Sequence, residues 1–161
     1  MKMSNTQTVI ISGFPGTGKS EFVKNFSEKY SILDSDSSEF SWVIDDKGHK
    51  RRNKDFPDNY IKHIKNNIGK VDIIMVSSHD IVRKALAHNG IKYILMFPNV
   101  DCKDIYIQRY INRGNDSSFI DMIKQNWYTF NKEMKSEKFP KKIEMIGDTF
   151  ISDYIDTILK K

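Results

Sequence analysis

One stretch of this 161-residue chain limits its possible folds more than any other: SGFPGTGKS, Ser12 to Ser20, directly after the apolar run Val9-Ile10-Ile11. The spacing is G-x-x-x-x-G-K-[ST], read as Gly13 and then Gly18-Lys19-Ser20. Glycines in such a loop let the backbone curl with its N–H groups inward, a nest for phosphate oxygens at a helix N-terminus. Pro15, Gly16 and Thr17 fill the turn. Lys19 is expected to reach the outer phosphates and the Ser20 hydroxyl to hold Mg²⁺. The plainer alternative is a glycine-rich turn opening an ordinary helix. The order of strand, loop and helix speaks against it.

The length suits one compact domain with a real core and is too short for two ordinary ones. No apolar run approaches a membrane span, and MKMSNTQTV lacks the apolar stretch of a signal peptide. Cys102 is the single cysteine, so an internal disulfide and a cysteine-rich zinc site are both excluded. These features lead to the expectation of a cytoplasmic protein, monomeric or homodimeric. The net charge is +5, and the chain strongly prefers lysine. Such a charge fits an anionic small substrate, weak nucleic-acid contact or a coding bias, so charge alone does not identify a partner. Arginine occurs at Arg51, Arg52, Arg83, Arg109 and Arg113. In a lysine-rich chain these are candidates for bidentate phosphate contacts.

Strands and helices alternate along the sequence. Thr8 to Ser12 reads as a buried strand and Lys19 to about Ser27 as a helix with Phe22, Val23 and Phe26 inward. A short strand at Ser31 to Leu33 runs into DSDSSEF, and SWVIDDKGHKRR reads as a hairpin turning at Asp46-Lys47-Gly48. Asp58 to Asn67 predicts a helix, Val71 to Val76 a central strand, and Ile91 to Phe97 another. Asp80 is expected to cap the helix that ends at Asn89-Gly90, and Asp101 to open one that stops at Gly114. Ser118 with Asp121 reads as a capping box for a long helix burying Phe119, Ile123, Trp127, Phe130 and Met134. Ile143 to Ile146 is the last strand, with a C-terminal helix from Asp148. This alternation calls for an α/β fold, a parallel sheet covered on both faces with its ligands at the carboxyl ends of the strands.

Three groups of residues narrow the chemistry. Asp34 and Asp36 follow the second strand, beside the phosphate loop in a parallel sheet. Either carboxylate can accept a proton from an attacking hydroxyl or serve the metal, Asp36 being a candidate for both duties. An Asx turn is the structural alternative. Arg109 and Arg113 lie four apart on a predicted helix, in reach of a triphosphate if the segment about 109–118 acts as a lid. Dipole complementation or surface ion pairs would explain them without function. The third group is an acceptor-binding segment, about 35–58, with Phe40, Trp42, Arg51 and Arg52, joined by Ser78 and His79 after the third strand. An aromatic next to arginine can stack a base and grip a phosphate. Simple packing and a solvated basic run are the alternatives.

On these residues the chain resembles the P-loop nucleoside and nucleotide kinases. GFPGTGKS is similar to the phosphate loop of adenylate-kinase-like enzymes, DSD to small-molecule kinases of the shikimate kinase type, and QRYINRG to the arginine-bearing lid of the superfamily. The small, lysine-rich whole is similar to phage-encoded nucleotide kinases. The resemblance implies a three-layer P-loop NTPase fold with a five-stranded parallel sheet in order 2-3-1-4-5, and ATP with Mg²⁺ as cosubstrates. It further implies transfer of the γ-phosphoryl group to a nucleotide or nucleoside. The third strand departs from the pattern, ending in Ser77-Ser78 where an acidic Walker B residue is expected, which moves the metal question to Asp34 and Asp36.

Two other functions fit the loop. One is a kinase acting on a polynucleotide end or a modified base in DNA, which the positive charge and aromatics permit. The other is an ATPase or nucleotide-binding protein without a small-molecule acceptor. A GTPase is disfavoured, because no N-K-x-D is present to read guanine. The intact Lys19 and Ser20 argue against a non-catalytic relative.

Overall fold

The computed structural model describes residues 8–159. The N-terminal residues on which the absence of a signal peptide was judged therefore lie mostly outside the described part. The elements are β1 (Val9–Gly13), α1 (Lys19–Phe26), β2 (Ile32–Asp34), α2 (Ser38–Ser41), β3 (Trp42–Ile44), β4 (Lys50–Arg52) and α3 (Asp58–Asn67). They are followed by β5 (Ile73–Val76), α4 (Asp80–His88), β6 (Ile94–Pro98), α5 (Lys103–Asn112), α6 (Ser117–Ser136), β7 (Lys141–Met145) and α7 (Ile155–Leu159). Short 3₁₀ turns precede α5 and α7.

Five strands form one parallel sheet in the order β2-β5-β1-β6-β7. Counting only the strands of this sheet, the order is 2-3-1-4-5. β3 and β4 make a separate antiparallel hairpin, with Trp42 opposite Arg52 and Ile44 opposite Lys50.

Side chains alternate across the sheet with period two, so each strand feeds two cores. Ile10, Ile74, Val76, Leu95 and Phe97 point into one, closed by apolar residues of α3, α4, α5 and α6. Ile11, Ile73, Met75, Ile94 and Met96 point into the other, closed by Phe22 of α1 and Ile158 of α7. The result is three layers. Because β1 is central, its carboxyl end opens in the middle of the molecule, flanked by the ends of β5 and β6. No helix among the described residues is long and apolar enough to cross a membrane.

Several predicted boundaries move. α6 begins at Ser117 after Asp116, and no side chain caps it, so the Ser118–Asp121 capping box does not form. The buried stripe of α6 is Ile120, Ile123, Trp127, Asn131 and Met134; Phe119 and Phe130 are only partly covered. The C-terminal helical segment starts at Ile151, not Asp148. Asp148 is instead paired with Arg109, and the Asp153 carboxylate takes the Phe150 N–H. His79 occupies the cap position of α4 and Asp80 is its first helical residue. The segment expected as a lid, about 109–118, is the last turn of α5, a short connection at 113–116 and the first residues of α6.

Candidate functional site

The loop between β1 and α1 is held from outside by its carbonyl groups. Phe14 O accepts from the Thr17 hydroxyl at 2.7 Å and from the Thr17 N–H at 3.2 Å. Pro15 O accepts from the Tyr110 hydroxyl at 2.6 Å, and Gly16 O from the Arg109 guanidinium at 2.7 Å. Thr17 O accepts from the Ile151 N–H and Gly18 O from the Phe22 N–H, both at 2.9 Å. By contrast, no carbonyl or side chain among the described residues accepts from the N–H groups of Gly16, Gly18, Lys19 or Ser20. Consecutive orphan donors at a helix start can receive an anion.

Glycine is required here on two counts. Gly16 and Gly18 have φ of 89° and 93°, in the left-handed region. A Cβ on Gly16 would lie 2.9 Å from Tyr110 Cε1, and one on Gly18 would lie 2.9 Å from Phe150 Cδ1. Rings pack where side chains would otherwise be. These groups fit a polyphosphate in the loop.

Lys19 curls back, its ammonium donating to Gly13 O at 2.6 Å. Burial pushes its pKa down to about 8, against the pull of the Asp34 carboxylate and with some help from Arg113. A phosphate would supply the counter-charge that this ammonium lacks.

Arg109 is built into the fold. Its guanidinium holds Gly16 O, Asp148 Oδ1 at 2.7 Å and Thr149 O at 2.9 Å. It sits 4.5 Å from the Tyr106 ring centroid and 3.9 Å from that of Phe150. Arg113, one turn on, is exposed and makes no salt bridge among the described residues. The two arginines predicted to act together therefore do different work: Arg109 braces the loop, while Arg113 is a free cation within electrostatic reach of Lys19.

A cavity of about 660 Å³ opens beside the loop. Phe14, Pro15, Lys19 and Ser20 of the loop line it, together with Asp34 and Asp36 after β2. Ser77, Ser78 and His79 follow β5 along its edge, and Phe119, Met122, Ile123, Phe130 and Met134 line an apolar wall. Asp34 ends β2 and has no side-chain hydrogen bond among the described residues. Asp36 Oδ1 accepts from the Ser38 N–H at 2.9 Å, so the Asx turn is real and still leaves one oxygen. Among the described residues no three His, Cys, Asp or Glu side chains converge as a metal cluster. A cation held by Ser20 and one carboxylate would therefore draw most of its ligands from phosphate and water.

The predicted acceptor segment divides. Phe40 packs on Tyr60 and His63, with ring centroids at 5.3 and 4.8 Å, and lines no cavity described here. Arg51 binds Asp45 at 2.7 Å on the outside of the hairpin. Trp42 and Arg52 line a second hollow, of about 740 Å³. Asp36, His79 and Asp80 line both hollows, so the two adjoin.

Three residues that sequence reasoning did not assign complete the frame. Buried Tyr60 donates to Ser35 O at 2.7 Å and accepts from the Ser77 N–H at 3.4 Å, tying the loops after β2 and β5 together. Burial raises its pKa, so it stays a donor. Ser12 reaches Ser77 O at 3.0 Å. Arg83, buried at the floor of the cavity, donates to Ser78 O at 2.8 Å and pairs with Glu137. Burial lowers its pKa, opposed by nearby Tyr93, Asp80 and Glu133. Only the scarcity of arginine pointed to Arg83.

No protein-family profile matches the chain, and no curated protein does. Among solved structures, it is similar to an uncharacterized protein from Eubacterium ventriosum ATCC 27560, with a TM-score of 0.54 and 16% identity over 97% of each chain. That likeness is one of fold: a parallel, P-loop-like α/β sheet.

Proposed function

We propose that this chain is an ATP-dependent phosphotransferase, moving the γ-phosphoryl group with the help of Mg²⁺ onto a nucleotide- or nucleoside-like acceptor seated beyond Asp36. One observation carries the reading: unpartnered loop amides, a desolvated lysine and two carboxylates all meet at the carboxyl end of the central strand. A cavity of about 660 Å³ lined by both the carboxylates and apolar side chains offers room for an acceptor, which an ATPase does not need.

In this reading the amides of Gly16, Gly18, Lys19 and Ser20 and the Lys19 ammonium grip the donor's phosphates. Ser20 and Asp34 would hold the cation, which would neutralise charge on the donor's phosphates. Asp34 acts more strongly than Asp36 on Lys19, which supports giving it the donor side. Asp36, its rotamer fixed by the Ser38 N–H, accepts the acceptor's hydroxyl proton through its remaining oxygen. The hydroxyl oxygen bonds to the γ-phosphorus, the bond from that phosphorus to the β–γ bridging oxygen breaks, and the electron pair leaves with ADP. Arg113 offsets the charge that develops on the transferred group. Most of the acceleration comes from positioning and fixed charge.

The test is a label-transfer screen: γ-labelled ATP with Mg²⁺, offered with nucleosides, nucleoside monophosphates and short oligonucleotides. Label should appear on a member of the panel and be lost with Lys19→Ala. A protein that binds Mg-ATP yet labels none of them contradicts the proposal.

A further inference from the structure

The two adjoining hollows differ in charge. In the first, Lys19 and Arg83 face the carboxylates of Asp34, Asp36, Asp80 and Glu133, and Arg83 is already paired with Glu137. Once Lys19 and Asp34 are committed to the donor and its cation, Asp36, Asp80 and Glu133 leave the rest of the cavity acidic. A phosphate monoester brought there would meet like charge, whereas a neutral hydroxyl would not.

The second hollow sets Arg52 and Lys84 against Asp36 and Asp80, and the hairpin beside it adds further cations. Trp42 and Arg52 are direct partners across the β3–β4 hairpin, as are Ile44 and Lys50, so all four side chains stand on one face. The Arg52 guanidinium lies 4.8 Å, and the Lys50 ammonium 5.2 Å, from the Trp42 ring centroid. Trp42, Lys50 and Arg52 are all exposed. Between Trp42 and Lys54 the chain carries Lys47, Lys50, Arg51, Arg52 and Lys54 against Asp45 and Asp46. An exposed indole flanked by cations is a platform for a stacked base with phosphates to either side.

We infer that the acceptor is a single-stranded nucleic acid, which places a hydroxyl in the acidic cavity while the adjoining base and phosphodiesters lie on the Trp42–Arg52 face of the hairpin. This rests on the phosphotransferase reading and narrows its acceptor. A molecule that is uncharged where the phosphoryl group arrives and anionic one nucleotide away matches both hollows; a free mononucleotide matches only one. Asp36, His79 and Asp80 border both hollows, which sets the two side by side within reach of one strand. The step is the transfer written above, the strand's hydroxyl being the nucleophile and ATP the phosphoryl source.

The experiment compares a fluorescent single-stranded oligonucleotide of about eight nucleotides bearing a 5′-hydroxyl with the matching nucleoside and its monophosphate. Anisotropy reads binding, and γ-labelled ATP reads transfer. The oligonucleotide should bind, with affinity falling as salt rises by a log–log slope of about −0.7 per phosphate contacted. It should also take label with a KM well below that of the nucleoside. Trp42→Ala should weaken oligonucleotide binding roughly five- to 150-fold, the effect of one lost base stack. Arg52→Gln should flatten the salt slope by about 0.7. Thermal stabilisation by Mg-ATP reports that each variant is folded, and Trp42→Phe should restore much of the affinity.

Label on the nucleoside or monophosphate, with the oligonucleotide neither bound nor labelled, would overturn this inference and leave the phosphotransferase reading standing. Transfer to no acceptor would end both. Equal competition by poly-glutamate at matched charge would reduce the hairpin to a general anion or acidic-protein surface, and would also overturn it.

Discussion

Arg109 donates to the carbonyl oxygen of Gly16 across 2.7 Å, joining residues 93 apart in sequence. The loop after β1 is thereby shaped from behind. Each carbonyl turned outward and held leaves its neighbouring amides facing the other way, and Tyr110 does the same for Pro15 at 2.6 Å. Rigid placement of donors before the ligand arrives is what makes such a site strong.

The loop's dependence on its backing can be measured directly. Tyr110→Phe removes a buried donor and strands the Pro15 carbonyl, which should cost about 1 kcal/mol. Arg109→Ala also loses the contacts with Asp148, Thr149 and two aromatic rings, and should cost on the order of 2 kcal/mol or more. Denaturant midpoints check both values. Mg-ATP affinity should fall in the same order, Arg109→Ala below Tyr110→Phe. Unchanged affinity in both variants would mean that the loop holds its own shape.

Gly16 and Gly48 make a matched pair. Both have positive φ, 89° and 80°, but a Cβ on Gly16 meets Tyr110 at 2.9 Å while one on Gly48 meets nothing within 4 Å. Gly48→Ala should cost about 1–2 kcal/mol from backbone strain alone. Gly16→Ala should cost more than that and abolish nucleotide binding. Thermal melts with and without Mg-ATP separate the two effects.

Lys19 gives a pH signature. Its folded pKa of about 8 lies below the ordinary value of 10.5 because of burial. Between those values the unfolded chain binds the proton and the folded one does not, so this group's contribution to stability rises with pH across that window and is a penalty below about 8. Phosphate next to the ammonium should restore the proton. Calorimetry in buffers of differing ionisation enthalpy should therefore show proton uptake on Mg-ATP binding near pH 8 to 9, and affinity should weaken as pH rises through that range. Lys19→Arg should take up no proton.

Asp34→Asn should lower turnover by roughly 10² or more with little effect on folding, since the side chain is exposed and makes no hydrogen bond among the described residues. Asp36→Ala should be mixed, because it also removes the acceptor of the Ser38 N–H. Its melting temperature should drop modestly along with the rate. Equal, undiminished turnover in both variants would remove the carboxylates from the chemistry.

Much of this site could be read from the sequence because local chemistry dictates it. The apolar Val9–Ile11 run, the two glycines and Lys19 occur in the order that a strand, nest and helix require, and the structure has that order. Asp46-Lys47-Gly48 gave the hairpin, since the turn needs a positive φ at Gly48. The job done by Arg109 was not legible. Its partner is a backbone carbonyl far along the chain, and four-residue spacing on a helix says nothing about which distant oxygen a guanidinium will meet. Phe40 misled for a related reason, because an aromatic beside a cleft and one packed on Tyr60 look alike in one dimension. The Asp148 boundary failed when a long-range ion pair took the residue expected to begin the helix.

The most direct measurement is hydrogen exchange at the amides of Gly16, Gly18, Lys19 and Ser20, with and without Mg-ATP. The account predicts that these amides exchange openly in the free protein and become protected when the triphosphate binds, with the effect lost in Lys19→Ala. Unchanged exchange at all four, in a folded protein at saturating Mg-ATP, would contradict it.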